Sequence, residues 1–281
     1  MTDTTAPHAL DLPAYLARIG LEGERPPATL ETLARLQRAH AHAIAFENVE
    51  VLARRVPDLA LEALERKIVR GGRGGYCFEQ NGLFLGVLRA LGFDVRPLEG
   101  RVRTGVPADV ETGRTHMALA VTLEGEEWLA DVGFGGLAPT APLRLASRAE
   151  QATPHGVYRL VDAGLDLLLQ ARTSDGWVDG YRLGPDRPRA VDAQIGNWFV
   201  ATWPQAFLRQ NLVVSRSTAA GRLTLFNREL GLRQGDAAPT KRLLASHEAL
   251  AHVLRVDMGL RLADADLAAV CAIVDAQAPA P

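Results

Sequence analysis

Cys77 and Cys271 are the only cysteines in this chain of 281 residues, and only the first stands where a thiol could react. It follows the glycine run of Arg70-Gly-Gly-Arg-Gly-Gly-Tyr-Cys77 and opens Cys77-Phe-Glu-Gln-Asn-Gly-Leu-Phe84. Cys77, Asn81, Phe84, Leu85, Leu88 and Leu91 recur at helical spacing, and Gly92 offers a stop, so the spacing predicts a helix that begins at the cysteine. The N-terminus of a helix carries unpaired N–H groups and partial positive charge, which favour a thiolate. Glycines on the approach let backbone or a substrate come close. The competing reading of any free cysteine is a small buried hydrophobe. Cys271, beside Val270 and Val274 on the apolar side of a helix predicted over 263–276, is read that way.

A thiol nucleophile needs a base to take its proton and a third group to orient that base. His116 opens one apolar strand and Asp131 closes the next, across Glu124-Gly125-Glu126. A two-residue turn there pairs residues whose numbers sum to an odd value, and 116 and 131 share that parity. Both side chains are therefore expected on one face of the hairpin, near each other. A three-residue turn without a bulge would separate them. A lone histidine is more often a surface or hydrogen-bonded group than a catalyst. A carboxylate inside Leu129-Ala-Asp131-Val132-Gly133 is costly to bury without a partner, and a histidine would supply one.

The elements that must hold these groups fall into three stretches. Helical periodicity covers 11–20, 29–42 (Thr29 as N-cap) and 59–69, ahead of the Cys77 helix. The segment 45–51 reads as extended. Strands follow at 94–103, 116–123 and 127–132, then at 157–161, 165–171 and 177–183, which predicts an antiparallel barrel or sandwich. A helix over 193–202, a hairpin over 212–217 and 221–227, a helix capped by Ser246 and the final helix complete the chain. The tail 278–281 is expected to fray.

Composition narrows the function. Apolar residues make up 47 %, enough for a sizeable core, and the net charge of −2 points to no polyanion and no anionic membrane. No stretch approaches the ~18 apolar residues of a membrane span, and the polar first ten residues lack a signal-peptide core. Two cysteines far apart make no disulfide framework, and the seven histidines show no zinc spacing. His40 and His42 are two apart on a helix and face different ways. A cytoplasmic, metal-free protein with no nucleic-acid partner is the expectation, as a monomer or homodimer.

Taken together, Arg73-Gly-Gly-Tyr-Cys77-Phe-Glu-Gln-Asn81-Gly, Arg114-Thr-His116-Met, Asp131-Val-Gly-Phe134-Gly135-Gly and Ala45-Phe46-Glu47-Asn48 resemble the arylamine N-acetyltransferases. The segment 202–212 matches that family more loosely, and the resemblance runs from about residue 10 to residue 230. It implies an α+β, cysteine-proteinase-like fold: a helical bundle over 1–92, a β-barrel over 93–190 and an α/β lid over 191–281. It implies ping-pong acetyl transfer from acetyl-CoA to an aromatic amine or hydrazine, with Cys77 as nucleophile, His116 as base and Asp131 as its orienting group. Phe46, Phe134, Gly135 and Val102 would line the acceptor pocket. Backbone N–H groups of Cys77 and Thr115 would meet the oxyanion. Glu47 and Arg73 would form a buried structural pair, and Asn81 would brace the site. Ala45 departs from the proline common before Phe-Glu-Asn, and the region beyond residue 227 is weakly matched. Rival readings are an amide synthase using a larger acyl group, a cysteine amidohydrolase with the same three residues, and a non-catalytic module.

Overall fold

A computed structural model describes residues 9–23 and 25–276. Four helical segments lead to the cysteine: α1 (Leu12–Arg18), α2 (Leu30–Ala43), α3 (Val49–Leu52) and α4 (Leu61–Leu64), with a two-residue strand β1 (Phe46–Glu47) between the second and third. Asp11 and Thr29 cap α1 and α2 through side-chain oxygens that accept from Ala14 N and Thr32 N. After α4 the chain widens into a π-helical stretch, Glu65–Arg70, where α-helix was expected. Helix α5 (Cys77–Ala90) then begins at the cysteine and ends before Gly92, whose φ is +89°.

The extended reading of 45–51 holds only for β1. Asn48 is tied down by three contacts with the distant segment 208–213. Its Nδ2 donates to Leu208 O (2.5 Å) and Asn211 O (2.7 Å), and its Oδ1 accepts from Val213 N (2.8 Å). Glu47 Oε2 accepts from Val49 N, and the chain turns into α3. Local propensity loses here to tertiary hydrogen bonding.

An eight-stranded antiparallel sheet follows, made of β2 (Asp94–Val102), β3 (Arg114–Leu123), β4 (Glu126–Ala130), β5 (Leu143–Arg144), β6 (Gln151–Thr153), β7 (Gly156–Ala163), β8 (Asp166–Thr173) and β9 (Gly176–Leu183). The order is β5-β4-β3-β2-β9-β8-β7-β6. The Gln151 side chain in edge strand β6 bonds both backbone groups of Arg144 in the other edge strand, β5, so the sheet curls towards a barrel. Strand β3 is apolar on both faces because both are covered. Met117, Leu119 and Val121 join a cluster with Phe84 and Leu88, while Ala118 and Ala120 join Leu160, Leu169 and Tyr181 inside the curl.

Helix α6 (Ala190–Thr202) and the short α7 (Phe207–Gln210) lead to a five-stranded sheet, ordered β1-β10-β11-β12-β13. Its strands are β10 (Val213–Thr218), β11 (Gly221–Phe226), β12 (Glu229–Arg233) and β13 (Thr240–Leu243), the last two unforeseen from the sequence. Helices α8 (His247–His252) and α9 (Asp264–Asp275) cover it, and Cys271 is buried in their core with Val270 and Val274. Ala45, Val49 and Leu52 belong to this third cluster too, so the early chain is sewn into the late one.

Candidate active site

Helix α5 owes its exact start to the loop before it. Tyr76 is extended (φ −96°, ψ −170°), and its N–H donates to Glu79 Oε2 at 3.1 Å. A side chain at Gly74 would sit 2.0 Å from Ala45 O, so only glycine lets this loop lie against β1. Cys77 thus occupies the first helical position and is 5 % exposed.

His116 comes from the start of β3. Gly100 pairs with His116 and Arg101 with Arg114, so Thr115 is the extra residue of a β-bulge. Its carbonyl oxygen, displaced from the ladder, accepts from Cys77 Sγ at 3.6 Å. The bulge was not legible in the sequence. The β3–β4 turn does have two residues, Glu124 and Gly125, both with positive φ, and Leu123 faces Glu126. His116 and Asp131 consequently share a face, and His116 Nε2 lies 2.8 Å from Asp131 Oδ2. With Nε2 committed to the carboxylate, Nδ1 is the ring nitrogen left for the hydrogen bond with Cys77.

Asp131 is fully buried and saturated. Besides His116 it accepts from Tyr181 OH (2.8 Å), Asn81 Nδ2 (2.9 Å) and Gly133 N (2.8 Å). Burial alone would raise its pKa, but the facing imidazolium and these donors hold the carboxyl below its ordinary range. For His116 burial opposes the charge, yet Asp131 and then Cys77 outweigh it and push the imidazole up to about 9. Asn81 braces both sides, since it also donates to Met117 O (2.7 Å) and accepts from Val132 N (3.1 Å). A Cβ at Gly133 would come within 2.8 Å of Cys77 Cα, so glycine there lets Asp131's strand end close on the cysteine.

Two members escaped sequence reasoning. Tyr181, fifty residues beyond Asp131, stacks tilted on the His116 ring at 4.5 Å as well as bonding the carboxylate. Gly133 stood inside the Asp131-Val-Gly-Phe134 segment with no role assigned to it, and only the packing against Cys77 shows why it is glycine. No spacing signal links Tyr181 to the hairpin; only the curl of the sheet brings β9 beside β2. Phe134 packs edge-on to both rings, 4.8 Å from His116 and 4.6 Å from Tyr181. Phe46 and Gly135 line one narrow cavity with Ser215, of about 20 Å³, which is room for roughly one water. Val102 pairs with Tyr181 across β2 and β9. Glu47 and Arg73 are joined at 2.8 Å, and Arg73 continues to Asp266 on α9 at 3.2 Å. Among the described residues no group of three or more His, Cys, Asp or Glu could hold a metal ion, and no helix is long and apolar enough to cross a membrane.

A thiol at a helix tip, an imidazole beside it and a saturated carboxylate behind that make the chemical equipment of a thiol-dependent acyl-transfer enzyme. The N-acetyltransferase family model matches residues 29–267. The arylamine N-acetyltransferase of Escherichia coli (strain K12) is 42 % identical over 252 residues, 89 % of each chain. An enzyme of Salmonella typhimurium named arylamine N-acetyltransferase / N-hydroxyarylamine O-acetyltransferase is 40 % identical, over 94 % of this chain and 96 % of that one. The Mycobacterium marinum arylamine N-acetyltransferase, solved alone and in complex with CoA, superposes with a TM-score of 0.89 at 39 % identity, covering 95 % of this chain and 99 % of that one. The chain belongs to the arylamine N-acetyltransferase family.

Proposed function

We propose that this protein transfers acetyl from acetyl-CoA to aromatic amines or hydrazines through a Cys77 thioester. The observation that carries the reading is the convergence of Cys77, His116 and Asp131 at one buried point, in a chain whose relatives bear that activity in their names. Cys77 gives its proton to His116 and attacks the thioester carbonyl. The carbon–sulfur bond to CoA breaks, and the CoA sulfur leaves with the proton His116 had held. The amine nitrogen then attacks the acetyl-cysteine, His116 takes a proton from it, and the Cys77 sulfur departs. Asp131 holds the ring and balances its charge throughout.

The pathway suits the surroundings. Thioester exchange between two thiols is nearly balanced, and a weakly basic aniline arrives unprotonated at neutral pH. The N–H groups of Cys77 and Thr115 are the proposed oxyanion donors. Phe134, on the His116 ring, offers an aromatic face to the acceptor, while the cavity at Phe46 must open to seat a ring. Three units, 1–92, 93–190 and 191–281, would supply helix tip, hairpin and lid.

Intact-mass analysis after incubation with acetyl-CoA alone tests this. One acetyl group on Cys77, removed by added aniline or hydrazine with formation of the amide, is expected. Unmodified Cys77, or acetyl lost as free acetate at the same rate without amine, would refute transfer.

A further inference from the structure

A second cleft, of about 560 Å³, lies where α1, α2 and β10 meet. Arg35, Arg38 and His42 reach it from one face of α2, Arg18 from the end of α1 and Arg216 from β10. None of the four arginines has a carboxylate within ion-pair distance among the described residues. Acids are not scarce, because the whole chain carries a net charge of −2, and exposed arginines elsewhere find them, as Arg148 does with Asp162 and Arg144 with Glu126.

The half-buried members are instead held in place by backbone carbonyls. Arg18 donates from Nε to Ile68 O and from Nη1 to Ala43 O, and Arg216 donates from Nε to His42 O. Arg216 Nη1 also reaches Asp257 O at 3.5 Å, which leaves Nη2 of each arginine without a protein acceptor among the described residues. His42 Nε2 is shielded from solvent and has no hydrogen-bond partner either. Among the described residues, burial and then the neighbouring cations Arg216 and Arg261 hold Arg18 below the usual arginine range. The same holds for His42, which faces His155, Arg38 and Arg216. Like charges fixed together without a counter-charge destabilise the fold unless an anion joins them.

We infer that this cleft binds a small phosphorylated anion, a pyrophosphate or the phosphates of a nucleotide. Guanidinium forks match phosphate oxygens in pairs, and four of them suit a ligand of more than one negative charge. The concavity admits a compact ligand rather than a polymer, in keeping with the absence of any overall basic charge. Arg216 also lines the narrow cavity beside Phe46 and Gly135, but Arg18, Arg35, Arg38 and His42 lie outside it, and the inference does not rest on the proposed acetyl transfer.

Calorimetric titration of the full chain with inorganic pyrophosphate tests it. Arg35→Ser/Arg38→Ser is the variant of choice because both side chains are exposed and their loss leaves the packing alone. We expect saturable one-to-one binding, weakened at least ~10-fold in the double variant, since each charge-assisted contact contributes on that order. An Arg148→Ser control should bind like the wild type. No saturable binding up to millimolar pyrophosphate, or equal affinity in the double variant, would overturn the inference. Competition then names the source. Displacement of pyrophosphate by acetyl-CoA puts a nucleotide donor's phosphates in the cleft, and simultaneous binding of both assigns it to a free anion.

Discussion

Two buried ionic networks grip the first turns of α5, one on each side, and they are built on opposite principles. On the hairpin side a single carboxylate, Asp131, receives three donors and one imidazole. On the loop side three carboxylates share the cations. Lys67 Nζ lies 2.6 Å from Glu79 and 3.2 Å from Glu50, while Arg73 holds Glu47. Asp131 is held ionised. Glu79 is pushed up to about 7 by burial and by Glu47 and Glu50, although Lys67 pulls it down. An over-supplied carboxylate makes a fixed charge beside His116 and Cys77. An under-supplied one makes a hydrogen-bonding cap, tying Tyr76 N and so the start of the cysteine helix. The first network suits the chemistry proposed for Cys77 and His116, and the second suits a positioning role.

That contrast can be broken most forcefully at Asp131. Asp131→Asn should lower acetyl transfer by roughly 10³–10⁴-fold, as neutralising an orienting carboxylate does in other triads, with the variant still folded by circular dichroism. Near-normal turnover would dissolve the distinction at its stronger end. Glu47→Ala should act on the other side and in the other currency, stability. It leaves Arg73 with only Asp266, and removing one partner of a buried pair costs about 3 kcal/mol. Denaturant unfolding would show the loss, while kcat of the folded enzyme should stay close to wild type; a large fall in kcat with unchanged stability would reverse the assignment.

The pH dependence sharpens the comparison, because the signs differ. His116 has its pKa raised in the fold, so its ion pair stabilises fully below ~6.5 and is lost as pH rises towards about 9. The stability gap between wild type and His116→Gln should therefore shrink by about 3 kcal/mol across that window. Glu79 is raised too, but as an acid: its charged form is the strained one, and stability falls as pH rises from ~4.5 through about 7. Glu79→Gln keeps an acceptor for Tyr76 N and should abolish that fall, an effect of about 3 kcal/mol. A Glu79→Gln protein whose stability curve parallels the wild type would show that Lys67 fully compensates the carboxylate.

Much of this was legible in one dimension. The apolar spacing from Cys77 to Leu91 placed the helix, and its start at the cysteine is where the N-cap geometry puts it. The parity of 116 and 131 across a Glu-Gly turn placed imidazole and carboxylate on one face, because side chains alternate strictly along a strand. The helix predicted over 59–69 gave α-helix only at its start, and 45–51 folded as strand, cap and helix once Asn48 met the 208–213 segment. Strands β12 and β13 went unseen because their short runs are broken by Gly231 and by exposed positions.

The sequence by itself determined which groups could react and which local elements would present them, since periodicity, caps and turns act over a few residues. Only the tertiary structure decided the partners of Asp131, the bulge at Thr115 that turns a carbonyl to the thiol, and the gathering of arginines from α1, α2 and β10 with no carboxylate beside them among the described residues. Those depend on strands and helices dozens of residues apart coming into register, where burial and charge balance are settled by the packed whole and no short window of sequence carries the information.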